Sequence, residues 1–277
     1  MSQSHSNAIA ILDAIPDGEL NTARRLREDI EVVAVSLNLQ GMVKYFRIES
    51  VGAFEDALRS LVKEHQQNGL NPVLHIEGHG FGEKGIALPN GCCTWEKFKK
   101  LVTPLNIEMR LNLLVVFATC YGGSFASAIT TTDRAPVWGL IGPKGTKTAG
   151  QLQQDFVAFY RILFETKSGS QAVNALSTGY YRTSAEDFFL QVWREYKRSS
   201  FCSSKGLAER ARRMYRQAKA LKWQGVPNIG ALKRLLRSAE PTLFAKYRDT
   251  YFMYDIYSEN QSRFAITYER AEEFAAQ

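Results

Sequence analysis

Scarcity narrows the class of this chain before any motif does. Four cysteines in 277 residues, Cys92, Cys93, Cys120 and Cys202, provide neither a disulfide framework nor a C-x-x-C metal pair. Cys92 and Cys93 are adjacent in a turn-like stretch and cannot readily bridge each other. No apolar run reaches the roughly 18–20 residues that span a bilayer. The early run "NAIAILDAI" has no basic lead-in and no small-residue cleavage site, so it reads as a first strand and not as a leader. A soluble, cytoplasmic protein without a membrane partner is the expectation. Internal repeats, low-complexity linkers and recognised nucleic-acid motifs are missing too. Histidine is equally sparse, and two of the four, His75 and His79, share the ten residues "NPVLHIEGHG" (71–80).

Charge is present but unevenly placed. Residues 1–179 hold 17 Lys+Arg against 17 Asp+Glu, whereas residues 180–277 hold 18 against 11, the whole of the net +7. Two regions with different jobs follow from that asymmetry.

The first region alternates strand and helix patterns. Helical spacing links Leu20, Leu26, Ile30 and Val33, and again Phe54, Leu58, Leu61 and Val62; a further helix starts at Thr94, whose hydroxyl suits an N-cap. Between them lie apolar strands at 8–15, 44–51, 72–79, 111–118 and 136–142, with helices predicted at "SFASAIT" and over 151–165. Strands 111–118 and 136–142 are apolar almost throughout, as a parallel sheet covered on both faces requires. The pattern predicts an α/β fold with a mostly parallel central sheet. From about residue 180 only helical patterns follow, giving a division into 1–180 and a basic helical region, 181–277, which could be a small domain or pack back onto the first.

In such a sheet, ligands bind beyond the carboxyl ends of the strands. His79 and Cys120 both stand there, His79 between Gly78 and Gly80, Cys120 ahead of Tyr121, Gly122 and Gly123. A thiolate that attacks an amide needs an imidazole, donors for the developing oxyanion and room for a peptide backbone. Glycine after the catalytic residue supplies the last two. A helix starting at "GGSFASA" would place the sulfur near a helix N-terminus, which favours the thiolate. Two other readings compete: both residues serve only the core, or His75, Glu77 and His79 alternate along one strand as a metal trio.

"VLHIEGHGFGEKGIAL" (73–88) followed by "LNLLVVFATCYGGSFA" (111–126) resembles the paired blocks of the caspase-like cysteine peptidases, and the CHAT branch in particular. "PVWGLIGPKGTKTAGQLQQDFVAFYRILFETKSGSQAVNALS" (136–177) is also similar to that branch, so the resemblance spans roughly residues 8–180. It implies a caspase-like sheet domain in which His79 and Cys120 are the catalytic pair, with no cofactor and no metal. It also implies that the backbone N–H groups of Gly80 and Cys120 hold the oxyanion. Caspases carry Gln-Ala before the cysteine where this chain has Ala118-Thr119, and metacaspases carry an Asp that is missing here, so specificity does not transfer from either group. Glu77 is the candidate hydrogen-bond partner behind His79.

In the clan the loop after the first strand helps build the pocket for the residue before the scissile bond. Here that loop, "LDAIPDGEL" (12–20), has Asp13, Asp17 and Glu19 and no basic residue. Asp13 and Asp17 therefore become candidate substrate-binding residues, and cleavage after Arg or Lys is expected. The competing role for Asp17 and Glu19 is to cap the next helix. The leading functional expectation is a cysteine endopeptidase acting on a protein or peptide substrate. By resemblance it is regulated by a partner protein, and it belongs to a prokaryotic defence or cell-death pathway. The alternative is a catalytically degenerate caspase-fold module whose basic tail docks nucleic acid or an acidic partner.

Overall fold

The computed structural model describes residues 4–37, 41–199 and 202–277. They form two compact units, one made of residues up to 130 together with 135–185, the other of 131–134 together with residues from 186 onward.

The first unit runs β1 (Ala8–Asp13), α1 (Thr22–Ser36), β2 (Val43–Arg47), α2 (Val51–Asn68), β3 (Pro72–Glu77), β4 (His79–Gly80), β5 (Gly85–Leu88), β6 (Gly91–Thr94), α3 (Trp95–Glu108), β7 (Leu114–Ala118), β8 (Gly139–Pro143), α4 (Ala149–Thr166), α5 (Gly169–Asn174) and β9 (Tyr180–Ser184). Six strands form one sheet in the order β2-β1-β3-β7-β8-β9, parallel except where β9 runs antiparallel to β8. The expected α/β architecture is therefore present, with helices on both faces. On one face Ile9, Ile11, Val73, Val116 and Ile141 pack with Leu26 and Ile30 of α1 and Phe156 and Phe159 of α4. On the other, the Phe117 ring meets Trp95, Phe98 and Phe125 at centroid distances of 5.1, 5.2 and 5.7 Å. Each such ring contributes about 1.5–3 kcal/mol by leaving water, which is why strands covered on both sides carry so few polar residues. Thr94 caps α3 by accepting from the Lys97 N–H, as its place in the sequence suggests.

Two local departures matter for the site. The strand predicted through His79 stops at Glu77; beyond Gly78 the chain turns into β4, which joins β5 and β6 in a separate antiparallel sheet. The helix expected at "SFASAIT" is a seven-residue 3₁₀ segment, Gly122–Ala128. Gly122 and Gly123 are poor helix formers, and the segment lies tight against β8, where a Cβ on Gly142 would come within 2.6 Å of the Gly123 nitrogen.

The second unit contains α6 (Ala185–Arg198), α7 (Ser204–Ala220), α8 (Ile229–Ser238), α9 (Glu240–Tyr251), α10 (Asn260–Arg263) and α11 (Tyr268–Ala276). Its core is aromatic: Trp193 meets Phe244 at 4.8 Å, and Phe252 lies 5.2 Å from both Phe189 and Phe264. Lys197 bridges Glu240 and Glu272 at 3.0 and 2.9 Å.

Candidate active site

β3 and β7 are parallel neighbours whose last paired residues are Glu77 and Ala118. His79 and Cys120 each lie two residues further on, so strand pairing carries the two chemistry-bearing side chains to the same end of the sheet. The approach is closest at Gly80, where a Cβ would sit 1.9 Å from the Cys120 carbonyl oxygen and 3.3 Å from its Cα. Glycine at 80 is thus a scaffold requirement: only a residue without a side chain lets the histidine turn lie against the cysteine turn. Beyond the cysteine the chain reverses through Tyr121, whose φ of +59° lies in the left-handed region. For a residue with a Cβ that conformation costs about 1–2 kcal/mol, and strain of this kind persists where the surroundings over-determine it. Tyr121 donates its N–H to the Gly145 carbonyl at 3.0 Å, and Gly122 donates to Thr119 at 3.1 Å.

Cys120 is half-buried and its thiol points at the Lys147 carbonyl, 3.6 Å away. Lys147 directly precedes Thr148, which caps α4 in a reciprocal box with Gln151. The wall facing the sulfur is thereby tied to a helix start. The 3₁₀ segment after the cysteine is too short to supply the α-helical N-terminus expected there.

His79 is exposed, and its Nε2 lies 2.6 Å from Oε2 of Glu19. A carboxylate only accepts, so Nε2 carries the hydrogen, which makes Nδ1 the nitrogen that takes a further proton. Glu19 was legible in the sequence only as an acid in the 12–20 loop, and it does not cap α1. The Asn21 side chain fills that role by accepting from the Arg24 N–H.

Glu77 does not stand behind His79. It is buried, accepting from the Thr22 hydroxyl at 2.5 Å and lying 3.1 Å from Nε2 of His75, whose Nδ1 is 2.9 Å from the Tyr160 hydroxyl. This chain of four buried polar groups joins α1, β3 and α4, and burial raises the Tyr160 hydroxyl pKa well above its ordinary value. The metal trio fails on the same geometry: His75 and Glu77 are 0 % and 1 % exposed whereas His79 is 58 % exposed. Among the described residues no cluster of three metal-ligating side chains occurs.

Asp13 is also corrected by the structure as a substrate-binding residue. It is fully buried, with Oδ1 accepting from the Ile15 N–H at 2.9 Å and Oδ2 taking Asn21 at 2.7 Å, the Tyr45 hydroxyl and Arg47 at 3.3 Å. No face of its carboxylate is left for a ligand. Asp17 is exposed but ion-paired to Arg47 at 2.8 Å. A loop with no basic residue in its sequence therefore has a guanidinium delivered into it from β2. Asp13→Ala should act as a folding defect of about 2–3 kcal/mol, because Tyr45 and Arg47 lose a shared buried acceptor. Asp17→Ala, at a solvent-exposed ion pair, should leave the unfolding midpoint unchanged. Chemical denaturation of the two variants checks both; equal, small effects would show that the Asp13 network is not structural.

The other cysteines have ordinary surroundings: Cys93 is buried and its thiol is pushed up to about 11 by that burial, while Cys92 is exposed in the β5–β6 hairpin.

No family model matches the chain. A tyrosine-protein kinase, MasK, of Myxococcus xanthus (strain DK1622) is 28 % identical over 157 residues, 53 % of this chain. The match spans only about a fifth of that kinase's length, 21 %. Among solved structures, a secreted C11 cysteine protease from Bacteroides thetaiotaomicron, in complex with an irreversible peptide inhibitor, is similar with a TM-score of 0.42 at 8 % identity, covering 62 % of this chain and 58 % of that one.

Proposed function

We propose that the first unit is a caspase-like cysteine peptidase with Cys120 as nucleophile and His79 as general base. One observation carries the reading most: the Gly80 backbone lies directly against the Cys120 backbone, in a packing that no side chain at 80 would permit. The cysteine thiol gives its proton to Nδ1 of His79 as sulfur attacks the scissile carbonyl. The N–H groups of Gly80 and Cys120 steady the oxyanion, and the amine leaves with the proton from His79. Water, deprotonated by the same imidazole, then hydrolyses the thioester. Glu19 keeps Nε2 protonated throughout.

Preference for a basic residue before the cut now falls to Glu19, since Asp13 and Asp17 are occupied. A substrate guanidinium or ammonium would pair with the second carboxylate oxygen, while Oε2 stays on Nε2 of His79. Regulation by a partner protein and a prokaryotic defence or cell-death role belong to the same proposal through the resemblance of the two sequence blocks. The kinase name of the curated relative is not carried over: the chain has neither the His-Arg-Asp nor the Asp-Phe-Gly triplet of the kinase signature.

The second reading, a catalytically silent module, is favoured by one feature. Thiol and imidazole are each engaged elsewhere, with Lys147 and Glu19. Catalytic hydrogen bonds commonly tighten only when substrate arrives, so the discriminating test is chemical. A peptidyl chloromethyl ketone ending in arginine should alkylate Cys120 and spare Cys92, at a rate unchanged by EDTA; mass spectrometry locates the adduct. Labelling of Cys92 with Cys120 untouched would favour the silent module.

A further inference from the structure

The second unit carries a feature that the peptidase reading does not use. Helices α7 and α8 pack against each other as a hairpin, and residues 204–238 hold ten Lys+Arg with Glu209 as the one acid. The packed face of α7 is formed by Leu207, Ala208, Ala211 and Ala218, all buried. Lys205, Arg212, Arg216 and Lys219 recur at intervals of seven, four and three residues and are all exposed. That spacing sets them in one stripe along an exposed flank of the helix, about 21 Å long at the α-helical rise. Among the described residues none of the four has an ion-pair partner within salt-bridge distance; Lys219 lies 5.7 Å from the Tyr215 ring centroid, and with Glu209 as the one acid nearby the stripe stays net positive.

The stripe ends at an exposed ring. Lys222 adopts φ +55°, and the Trp223 N–H bonds back to the Ala218 carbonyl at 2.9 Å, closing α7 with a fixed turn. Trp223 and Leu221 each remain 66 % exposed there. A helix that lies on a membrane needs a broad apolar face flanked by its cations, but the apolar face of α7 is spent inside its own unit. A line of cations leading to one exposed indole instead fits a polyanion whose repeating charges track the stripe and whose planar bases stack on the ring.

We propose that the α7–α8 hairpin binds single-stranded nucleic acid, with Lys205, Arg212, Arg216 and Lys219 on successive phosphates and Trp223 stacked on a base. The probe is a fluorescein-labelled 20-nucleotide single strand, titrated with the full chain by anisotropy. With four phosphates neutralised, the logarithm of affinity should fall with the logarithm of salt at a slope of about −3, so that affinity drops some 50-fold between 50 and 200 mM salt. Arg212→Glu/Arg216→Glu should lower affinity at 50 mM salt at least tenfold and flatten the slope. Trp223→Ala should lower it about tenfold with the slope unchanged; circular dichroism establishes that both variants keep their helices. No binding at 50 mM salt overturns the proposal. So does binding that ignores all three substitutions, or a duplex bound as tightly as the single strand with Trp223→Ala silent. Co-sedimentation with phosphatidylserine vesicles, with the oligonucleotide unbound, overturns it in favour of a membrane surface.

Discussion

Cys120→Ala is expected to abolish peptide cleavage, by on the order of 10⁴-fold or more, while leaving the fold unchanged. The substitution removes one sulfur at the end of β7 and with it a single weak contact to the Lys147 carbonyl, so the unfolding transition should stay in place. His79→Ala should cost nearly as much, and combining the two should add little, since a nucleophile and its base act as a unit. Fluorogenic peptides ending in Arg, Lys, Asp or Ala measure both activity and preference. Undiminished turnover by Cys120→Ala would remove the thiol from the chemistry altogether. Cleavage of the Asp peptide alone would end the assignment of Glu19 to substrate recognition.

Gly80→Ala is expected to be as damaging by a different route. A methyl group there would stand 1.9 Å from the Cys120 carbonyl oxygen and 2.8 Å from its carbonyl carbon, against backbone that cannot rotate away. Either the histidine turn or the cysteine turn must move, at a cost of about 3 kcal/mol. A displacement of about an ångström between base and nucleophile should reduce turnover by 10²-fold or more. Gly150→Ala is the matched control: it lies in α4 with nothing within 4 Å of an added Cβ, and it should keep full activity. Thermal unfolding together with initial rates separates the two effects. A Gly80→Ala protein as active as wild type would show that the two turns need not touch.

Much of this was legible in the order of residues, because local rules suffice where local forces decide. The near-continuous apolar runs at β7 and β8 announce strands buried on both faces, and Thr94 announces the start of α3. His79 and Cys120 stand out because polar, reactive side chains follow apolar strands and are flanked by glycine. What stayed hidden depends on partners far along the chain. An acidic 12–20 loop looks like a pocket for a cation until Arg47, 30 residues past Asp17, is seen to occupy it. Glu77 looks like the natural support for His79 because alternation places them on one face. Gly78 breaks that alternation, and Glu19, 60 residues away, takes the position instead. The excess positive charge of the tail could be counted, but its arrangement as a stripe depends on which side of α7 is buried.

The turn after Cys120 has a consequence for how the protein is made. Its N–H and thiol contacts reach Gly145 and Lys147, and the glycine that meets it lies 40 residues upstream. Every one of these contacts closes a long loop, and long loops close late because their entropy is lost before their contacts are gained. A nascent chain emerging from the ribosome can display Cys120 while residue 147, 27 positions later, is still inside the exit tunnel and cannot hold the loop. Translation therefore passes through a stage in which the thiol is exposed without its surrounding turn, and that turn is completed late, when β8 and the start of α4 dock.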